Sequence, residues 1–261
     1  MKKIILVAFI IKSILMFPQQ KGIIYYGFVD ALGVGNSRGL DYNAYMIFNN
    51  EQSYYATCKD SLENSLVKDK EVVFLDKSVK KNSIYLGMKT SPQGDQVVYN
   101  VKKNTIWSNF YYRKQTYVKE VASKIDWTIE KEFKKIGKFN CKKAITYFRG
   151  RNYIAWFTPE ISTPFGPWKL NGLPGLILEA YDTNKNYYWY FKSVEYPTKN
   201  KNNVEYLKIP KSLKFNTYDE FKLFQKNQLI RTIEKERITQ KIYPDVIFTE
   251  PKLLDSFIEC E

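Results

Sequence analysis

The chain contains no histidine among its 261 residues. Histidine is the usual general base near neutral pH and the commonest metal ligand in proteins. Its absence excludes Ser-His-Asp and Cys-His catalysis. We therefore expect neither a metal site nor a cofactor, and the chemistry that remains is that of carboxylates, lysines and cysteines.

Cysteine is sparse as well, with only Cys58, Cys141 and Cys260. They lie too far apart to resemble a metal-binding motif, and three pairings remain open for a single disulfide. Cys141 has two interpretations. The neighbouring Lys142 and Lys143 would make it reactive if they lowered its pKa, whereas a buried or disulfide-bonded cysteine would be inert.

Long apolar runs are missing after the N-terminus. The chain begins with Met1-Lys2-Lys3, followed by a short apolar stretch that Lys12 interrupts. This pattern predicts a secretory signal peptide over residues 1–21, since a membrane span needs about 20 apolar residues. A retained N-terminal anchor is the alternative. Residues 22–261 are predicted to form a single β-rich domain, exported to the periplasm or associated with the outer membrane.

Positive charge is in excess. The formal net charge is +14, and removing Lys2, Lys3 and Lys12 with the signal leaves 14 − 3 = +11. Outside the cytosol, such an excess favours anionic lipid headgroups or acidic glycans rather than nucleic acid. We therefore expect no nucleic-acid partner and an association with a membrane surface. The alternative is a solvated lysine-rich surface, because the lysines are scattered.

Short β-rich runs separated by turn residues recur along the chain. They are Ile23–Val29, Asp41–Phe48, Lys70–Leu75, Ser83–Met88, Gln96–Val101, Thr105–Tyr112, Gln115–Val121, Lys142–Phe148, Tyr153–Phe157, Leu176–Tyr181 and Tyr187–Glu195. Such short spacing predicts antiparallel strands, because parallel strands need crossovers of about a dozen residues or more.

One helix is predicted from Tyr218 to about Lys241. Thr217 and Glu220 form a capping box before it, and Pro244 ends it. A weaker helical pattern covers Thr57–Lys68. The predicted fold is mainly β (α+β): a curved antiparallel sheet or incomplete barrel with the C-terminal helix packed on it.

The segment Gly166–Ala180 contains the most distinctive motif. Pro167 and Pro174 restrict the backbone, while Gly172 and Gly175 permit a positive φ or a close backbone approach. The pattern predicts a turn, an extended hairpin and a buried strand. We expect a structural role for its central residues, which are Gly172, Leu173, Pro174, Gly175, Leu176 and Ile177.

This segment resembles the signature of the GLPGLI family, also called Porph_ging. The upstream runs Cys141–Ala144, Phe148–Arg151 and Ala155–Ile161 extend the resemblance. It implies an exported protein of Gram-negative bacteria and brings no established reaction with it.

The best candidates for anion recognition are Arg149 and Arg151. They flank Gly150 at a predicted hairpin tip, and two guanidinium groups there would grip a phosphate or carboxylate. Four aromatic residues are predicted to line an adjacent concave apolar site for a lipid-like ligand. They are Trp156, Trp168, Trp189 and Tyr190. The alternative is that these rings fill the core.

Carboxylates near the signature offer a catalytic alternative. Glu160, Glu179 and Asp182 would suit glycoside hydrolysis if two of them stood about 5 to 9 Å apart. The sequence favours a non-catalytic binding or assembly module of the cell envelope, for an apolar or anionic ligand or an envelope protein partner. A carboxylate-dependent envelope hydrolase is the competing hypothesis.

Overall fold

The computed structural model describes residues 21–31, 40–57, 95–112, 114–199, 214–245, 250–253 and 257–260. Within these ranges the chain forms eleven strands and one long helix. The strands are β1 (Gly22–Asp30), β2 (Leu40–Phe48), β3 (Gln52–Thr57), β4 (Asp95–Asn100), β5 (Thr105–Tyr112), β6 (Lys114–Val121), β7 (Thr128–Ile136), β8 (Phe139–Phe148), β9 (Arg151–Thr158), β10 (Leu176–Asp182) and β11 (Tyr187–Glu195). The helix, α1, spans Tyr218–Ile242.

The strands form one antiparallel sheet in the order β6-β5-β4-β3-β2-β1-β11-β10-β9-β8-β7. Strands β1 to β6 and β7 to β11 are two meanders, which β1 and β11 join by pairing along their lengths. Strands β6 and β7 are therefore neighbours in sequence but lie at opposite edges of the sheet.

The connection between these edge strands is short. Only residues 122–127 separate Val121 from Thr128. That length of chain reaches at most ~25 Å when extended, whereas eleven strands in a flat sheet would place the edges ~48 Å apart. The sheet must therefore curve until its edges approach each other. The predicted class is confirmed, and the sheet stays open.

The sequence pattern missed two strands, β3 and β7. Strand β3 is buried on both faces, so its residues show no polar alternation. Strand β7 is an edge strand with mostly exposed side chains, so its composition is charged. The predicted strands Lys70–Leu75 and Ser83–Met88, and nearly all of the predicted helix Thr57–Lys68, lie outside the described residues.

A loop between β9 and β10, residues 159–175, fills the interior of the curved sheet. We call it the signature loop. Its apolar side chains are buried in the main core: Ile161, Phe165, Trp168, Leu170 and Leu173. Phe165 meets the rings of Phe48 and Tyr99 at centroid distances of 6.5 and 5.9 Å. The predicted strand after the motif is confirmed as β10.

Helix α1 begins at the predicted capping box. The Thr217 side chain accepts a hydrogen bond from the Glu220 backbone N–H, and the Glu220 carboxylate accepts one from the Thr217 backbone N–H. Phe221 packs against Phe110 of β5 at 4.9 Å between ring centroids, which places the first turns of α1 on the sheet. In the described part of the chain, no helix has the length and apolar character needed to cross a membrane.

Two glycines of the signature loop differ in what surrounds them. A methyl group added to Gly175 would lie 2.2 Å from the Thr158 carbonyl oxygen and 3.0 Å from Pro159 Cα. One added to Gly172 would lie 4.0 Å from Trp127 Nε1, although the backbone there has a φ of +93°. Close backbone contact therefore requires glycine at position 175, whereas the dihedral angle favours it at 172.

We expect Gly175→Ala to destabilise the protein by about 2 to 4 kcal/mol, because the methyl group forces β9 and β10 apart. Gly172→Ala is the matched control and should cost roughly 1 to 2 kcal/mol, the strain of a left-handed alanine. Urea unfolding of both variants measures the difference. Equal losses would show that close packing at position 175 is unimportant.

Candidate functional site

Four charged side chains meet inside the fold, and we call them the buried charge cluster. They are Glu120, Arg149, Lys169 and Glu259, each no more than 8% exposed. Lys169 Nζ donates to Glu120 Oε1 at 2.5 Å and lies 2.6 Å from Glu259 Oε1. Arg149 Nη2 donates to Glu120 Oε2. Two positive and two negative charges therefore balance one another away from water.

The cluster joins four separate parts of the chain. Glu120 comes from edge strand β6, Arg149 from the β8–β9 turn, Lys169 from the signature loop and Glu259 from the C-terminal residues. The Tyr218 ring lies 3.6 Å from Arg149 Cζ, which adds the start of α1. The cluster thus holds the signature loop against the sheet edge and the C-terminal segment.

Electrostatics keep Arg149 charged despite its burial. Desolvation alone would lower the pKa of Arg149, but the Glu259 and Glu120 carboxylates outweigh it, so the pKa is raised. An arginine buried without such partners would be costly.

Arg151 is also buried and engaged within the chain. Its Nη1 lies 3.5 Å from Asp182 Oδ2, and its Nη2 donates to the Phe257 carbonyl at 2.7 Å. Asp182 Oδ1 in turn accepts from the Tyr187 backbone N–H at 2.8 Å. Both arginines predicted to recognise an anion therefore contact carboxylates of the protein itself. Their binding of an external ligand stays a prediction.

Two of the predicted aromatic residues lie deep in the core. Trp168 and Trp189 stack with their ring centroids 6.0 Å apart and an interplanar angle of 11°. The Trp189 Nε1–H donates to the Tyr55 hydroxyl at 2.7 Å. These rings occupy the interior where the sequence suggested a ligand cavity, and their ligand role also stays a prediction.

The other two predicted aromatics belong to the opposite side of the sheet. We call this surface the outer aromatic face. It consists of Lys134, Trp156, Glu179, Tyr181, Tyr188 and Tyr190. Strand alternation puts Trp156 and Glu179 side by side on β9 and β10, and Tyr181 beside Tyr188 on β10 and β11. The three tyrosines are partly exposed.

A lysine and a glutamate form the polar centre of the outer aromatic face. Lys134 Nζ donates to both carboxylate oxygens of Glu179 at 2.8 Å. The same Nζ lies 5.3 Å from the centroid of the Trp156 ring. Trp156 is 8% exposed, and its Nε1–H has no hydrogen-bond partner among the described atoms. A carboxylate, an ammonium group and an indole N–H therefore lie close together, and of these the Lys134 side chain, which is 40% exposed, is the one that reaches solvent.

The tyrosines extend this centre into a row of rings. The centroid of Tyr188 lies 5.5 Å from that of Tyr181 and 5.6 Å from that of Tyr190. Burial and the neighbouring Glu179 carboxylate raise the pKa of Tyr188 to about 12. Its hydroxyl therefore stays protonated near neutral pH and donates a hydrogen bond to the Glu179 carboxylate.

Cys141 is inert rather than activated. Burial is the main cause that raises the pKa of Cys141 to about 12, and the Glu160 and Glu179 carboxylates add to it. The thiolate is the nucleophilic form of cysteine, so this thiol is unreactive near neutral pH. The predicted influence of its lysine neighbours in sequence is overridden by tertiary contacts.

The three candidate carboxylates do not converge. Glu179 contacts the outer aromatic face, whereas Asp182 three residues later points to the inner side and contacts Arg151. Glu160 accepts a hydrogen bond from the Asn140 backbone N–H at 2.9 Å. Among the described residues, no cysteine and carboxylate group of three or more is placed to hold a metal ion.

Sequence reasoning missed Glu120, Lys134, Lys169 and Glu259. Lys169 carried a usable signal, because it stands alone between Trp168 and Leu170 in an apolar motif, and a buried lysine needs a partner. The two glutamates are distant in sequence and carried no such signal. Lys134 lies in a strand with many lysines, so the sequence does not distinguish it from its neighbours.

Comparison with known proteins agrees with the motif. The model of the Porph_ging family, described as a protein of unknown function, matches residues 149–179 and confirms the resemblance. No curated protein matches the chain.

Two solved structures resemble the chain, and the one with the TM-score above 0.5 shares its fold. PNGF-II in a P21 crystal form has a TM-score of 0.51 and 14% identity, covering 78% of this chain and 32% of that chain. PNGF-II in a C2 form has a TM-score of 0.49 and 15% identity, covering 76% of this chain and 31% of that chain. The chain thus spans about a third of PNGF-II, and the likeness concerns the fold alone.

We expect Lys169→Met to destabilise the protein by about 3 to 5 kcal/mol, because Glu259 keeps a buried charge without its close partner. Lys124→Met is the control. It removes an exposed pair with Asp126 at 3.1 Å and should cost ~0 to 1 kcal/mol. Denaturant unfolding measures both.

Adding Glu259→Gln to Lys169→Met should recover part of the lost stability, because the second change removes the unpaired charge. If the losses of the two single variants simply added in the double variant, that would contradict coupling within the buried charge cluster.

Proposed function

We propose that this protein is an exported, non-catalytic binding module of the cell envelope that holds a saccharide on its outer aromatic face. The observation that carries the proposal is the arrangement around Glu179. A carboxylate paired with Lys134 lies beside the unpartnered Nε1–H of Trp156 and a row of partly exposed tyrosines.

The mixture of polar and aromatic groups favours a saccharide over a hydrocarbon chain. A tyrosine ring presents a flat apolar surface that suits the C–H face of a sugar ring, and its hydroxyl adds a polar edge. Lys134, whose side chain is 40% exposed, interrupts this surface with charge, and covering it with a lipid tail would desolvate it without compensation. Sugar hydroxyls would hydrogen-bond to its ammonium group.

Export is supported by three features of the chain. The N-terminal residues have the charged and apolar regions of a signal peptide. The matched segment 149–179 belongs to a family model without an assigned reaction, and the GLPGLI resemblance implies an exported protein. The excess of positive charge suits a compartment bounded by anionic glycans and lipids.

A carboxylate-dependent hydrolase is the second candidate, and one observation favours it. Glu160 and Glu179 both raise the pKa of Cys141, so both carboxylates lie near the same buried thiol. Of the three candidate carboxylates, Glu160 and Glu179 are therefore the pair to test, because Asp182 contacts Arg151 on the inner side of the sheet. The bidentate contact of Glu179 with Lys134 favours binding over proton transfer.

Fractionation of the native cells tests export. We expect the chain in the envelope fraction, with a mature N-terminus between Gln19 and Gly22 measured by mass spectrometry of the intact protein. Replacing Lys2 and Lys3 by glutamate should leave the precursor unprocessed, because the signal needs a positive start. An intact Met1 on wild-type protein in the cytosol would contradict export.

Calorimetric titration with envelope saccharides tests the binding site. The probes are peptidoglycan fragments and lipopolysaccharide core oligosaccharide, and we expect at least one to bind. Tyr188→Ala should weaken that binding about tenfold through the lost ring contact. Tyr147→Ala is the control, because Tyr147 is 65% exposed on β8 and outside the outer aromatic face.

Three outcomes would count against this site. They are no binding to any of these saccharides, equal losses in the two tyrosine variants, and binding with concurrent release of reducing ends. If Glu160→Gln abolished that release while the protein stayed folded, the hydrolase would replace the binding module.

A further inference from the structure

The side of α1 opposite its buried residues carries an apolar stripe. Its exposed residues are Leu223 (58%), Ile230 (43%), Ile238 (59%) and Ile242 (64%). They follow one another at spacings of seven, eight and four residues, which returns each to the same side of a helix. The buried residues of α1 lie on the other side and are Phe221, Gln225 and Gln228.

Exposed basic side chains accompany this stripe. They are Lys226, Arg231, Lys235 and Lys241. Within the described ranges none of the four forms an ion pair, whereas Arg237 on the same helix lies 2.5 Å from Glu250. Two acidic residues, Glu234 and Glu236, lie between them in sequence, and of these Glu234 is exposed. The stripe and its four basic residues together form what we call the outer ridge of α1.

We infer that the outer ridge of α1 docks on an anionic membrane surface. The spacing between Leu223 and Ile242 corresponds to ~28 Å of helix, so the contact is extended rather than a single pocket. Apolar side chains in such a helix enter the headgroup boundary, and the flanking lysines and arginines reach anionic phosphates. The chemistry is that of a helix that lies on the bilayer.

Charge complementarity commits this surface to a membrane rather than a protein. The four basic groups are spread along the helix from Lys226 to Lys241. A membrane surface presents anionic headgroups over that whole length, so each basic group would find a phosphate. This inference does not depend on the saccharide site, because the outer aromatic face is on β7 and β9 to β11. Docking through α1 would hold the protein, and with it the saccharide site, at a membrane surface of the envelope.

Vesicle flotation with the protein purified from its native envelope tests the inference. One set of vesicles contains phosphatidylglycerol and phosphatidylcholine in equal parts, and the other contains phosphatidylcholine alone. We expect at least about tenfold stronger partition onto the anionic vesicles. Raising the salt from about 0.05 M to about 0.5 M should weaken it, because screening shortens the reach of the charges.

Matched variants locate the contact. Arg231→Gln with Lys235→Gln should weaken partition about 30-fold. Lys131→Gln with Lys135→Gln removes the same charge from exposed positions of β7. This control should weaken partition less than the α1 double variant does. Ile238→Ser should also weaken partition, whereas Phe133→Ser, at a 68% exposed position of β7, should not.

Circular dichroism and melting confirm that each variant keeps its helix and fold. Equal partition onto both vesicle types would overturn the inference. So would equal losses in the α1 and β7 charge variants, which would indicate a diffuse effect of net charge. Capture of an envelope protein on crosslinking through α1, without any vesicle binding, would replace the membrane by a protein partner.

Discussion

The short connection between β6 and β7 is the constraint on which the rest of the structure depends. Six residues must join the two edges of an eleven-stranded sheet, so the sheet has to curve into an open barrel. Curvature creates an interior that neither meander fills alone. The signature loop supplies the missing volume with Phe165, Trp168 and Leu173, which explains why an apolar motif rich in glycine and proline lies between two strands.

Curvature also decides where the buried charges go. It brings the end of β6, the β8–β9 turn and the C-terminal residues to one place, where Lys169 of the signature loop meets Glu120 and Glu259. A buried ion pair is weak support for stability by itself, because desolvation offsets much of the attraction. Its value here is specificity, since a wrongly seated loop would leave Lys169 without partners.

The two faces of the C-terminal meander have different roles. Its inner face is occupied by stacked tryptophans and by Asp182 with Arg151. Its outer face keeps partly exposed tyrosine rings and the Lys134 side chain near solvent, with Glu179 buried beneath them. Tightly packed side chains in the interior leave little freedom for a ligand, so the outside of the sheet and α1 are the surfaces open to one.

The sequence by itself determined the class of fold, most of the strands, helix α1 with its capping box, and the family resemblance, because alternation, turn residues and caps are local signals. It missed β7, whose charged residues form a strand only through pairing with β8 at the sheet edge. Tertiary structure alone decided that Arg149 meets Glu120 and Glu259 rather than solvent. Those partners are 29 and 110 residues away, and no local pattern encodes a contact between elements so far apart.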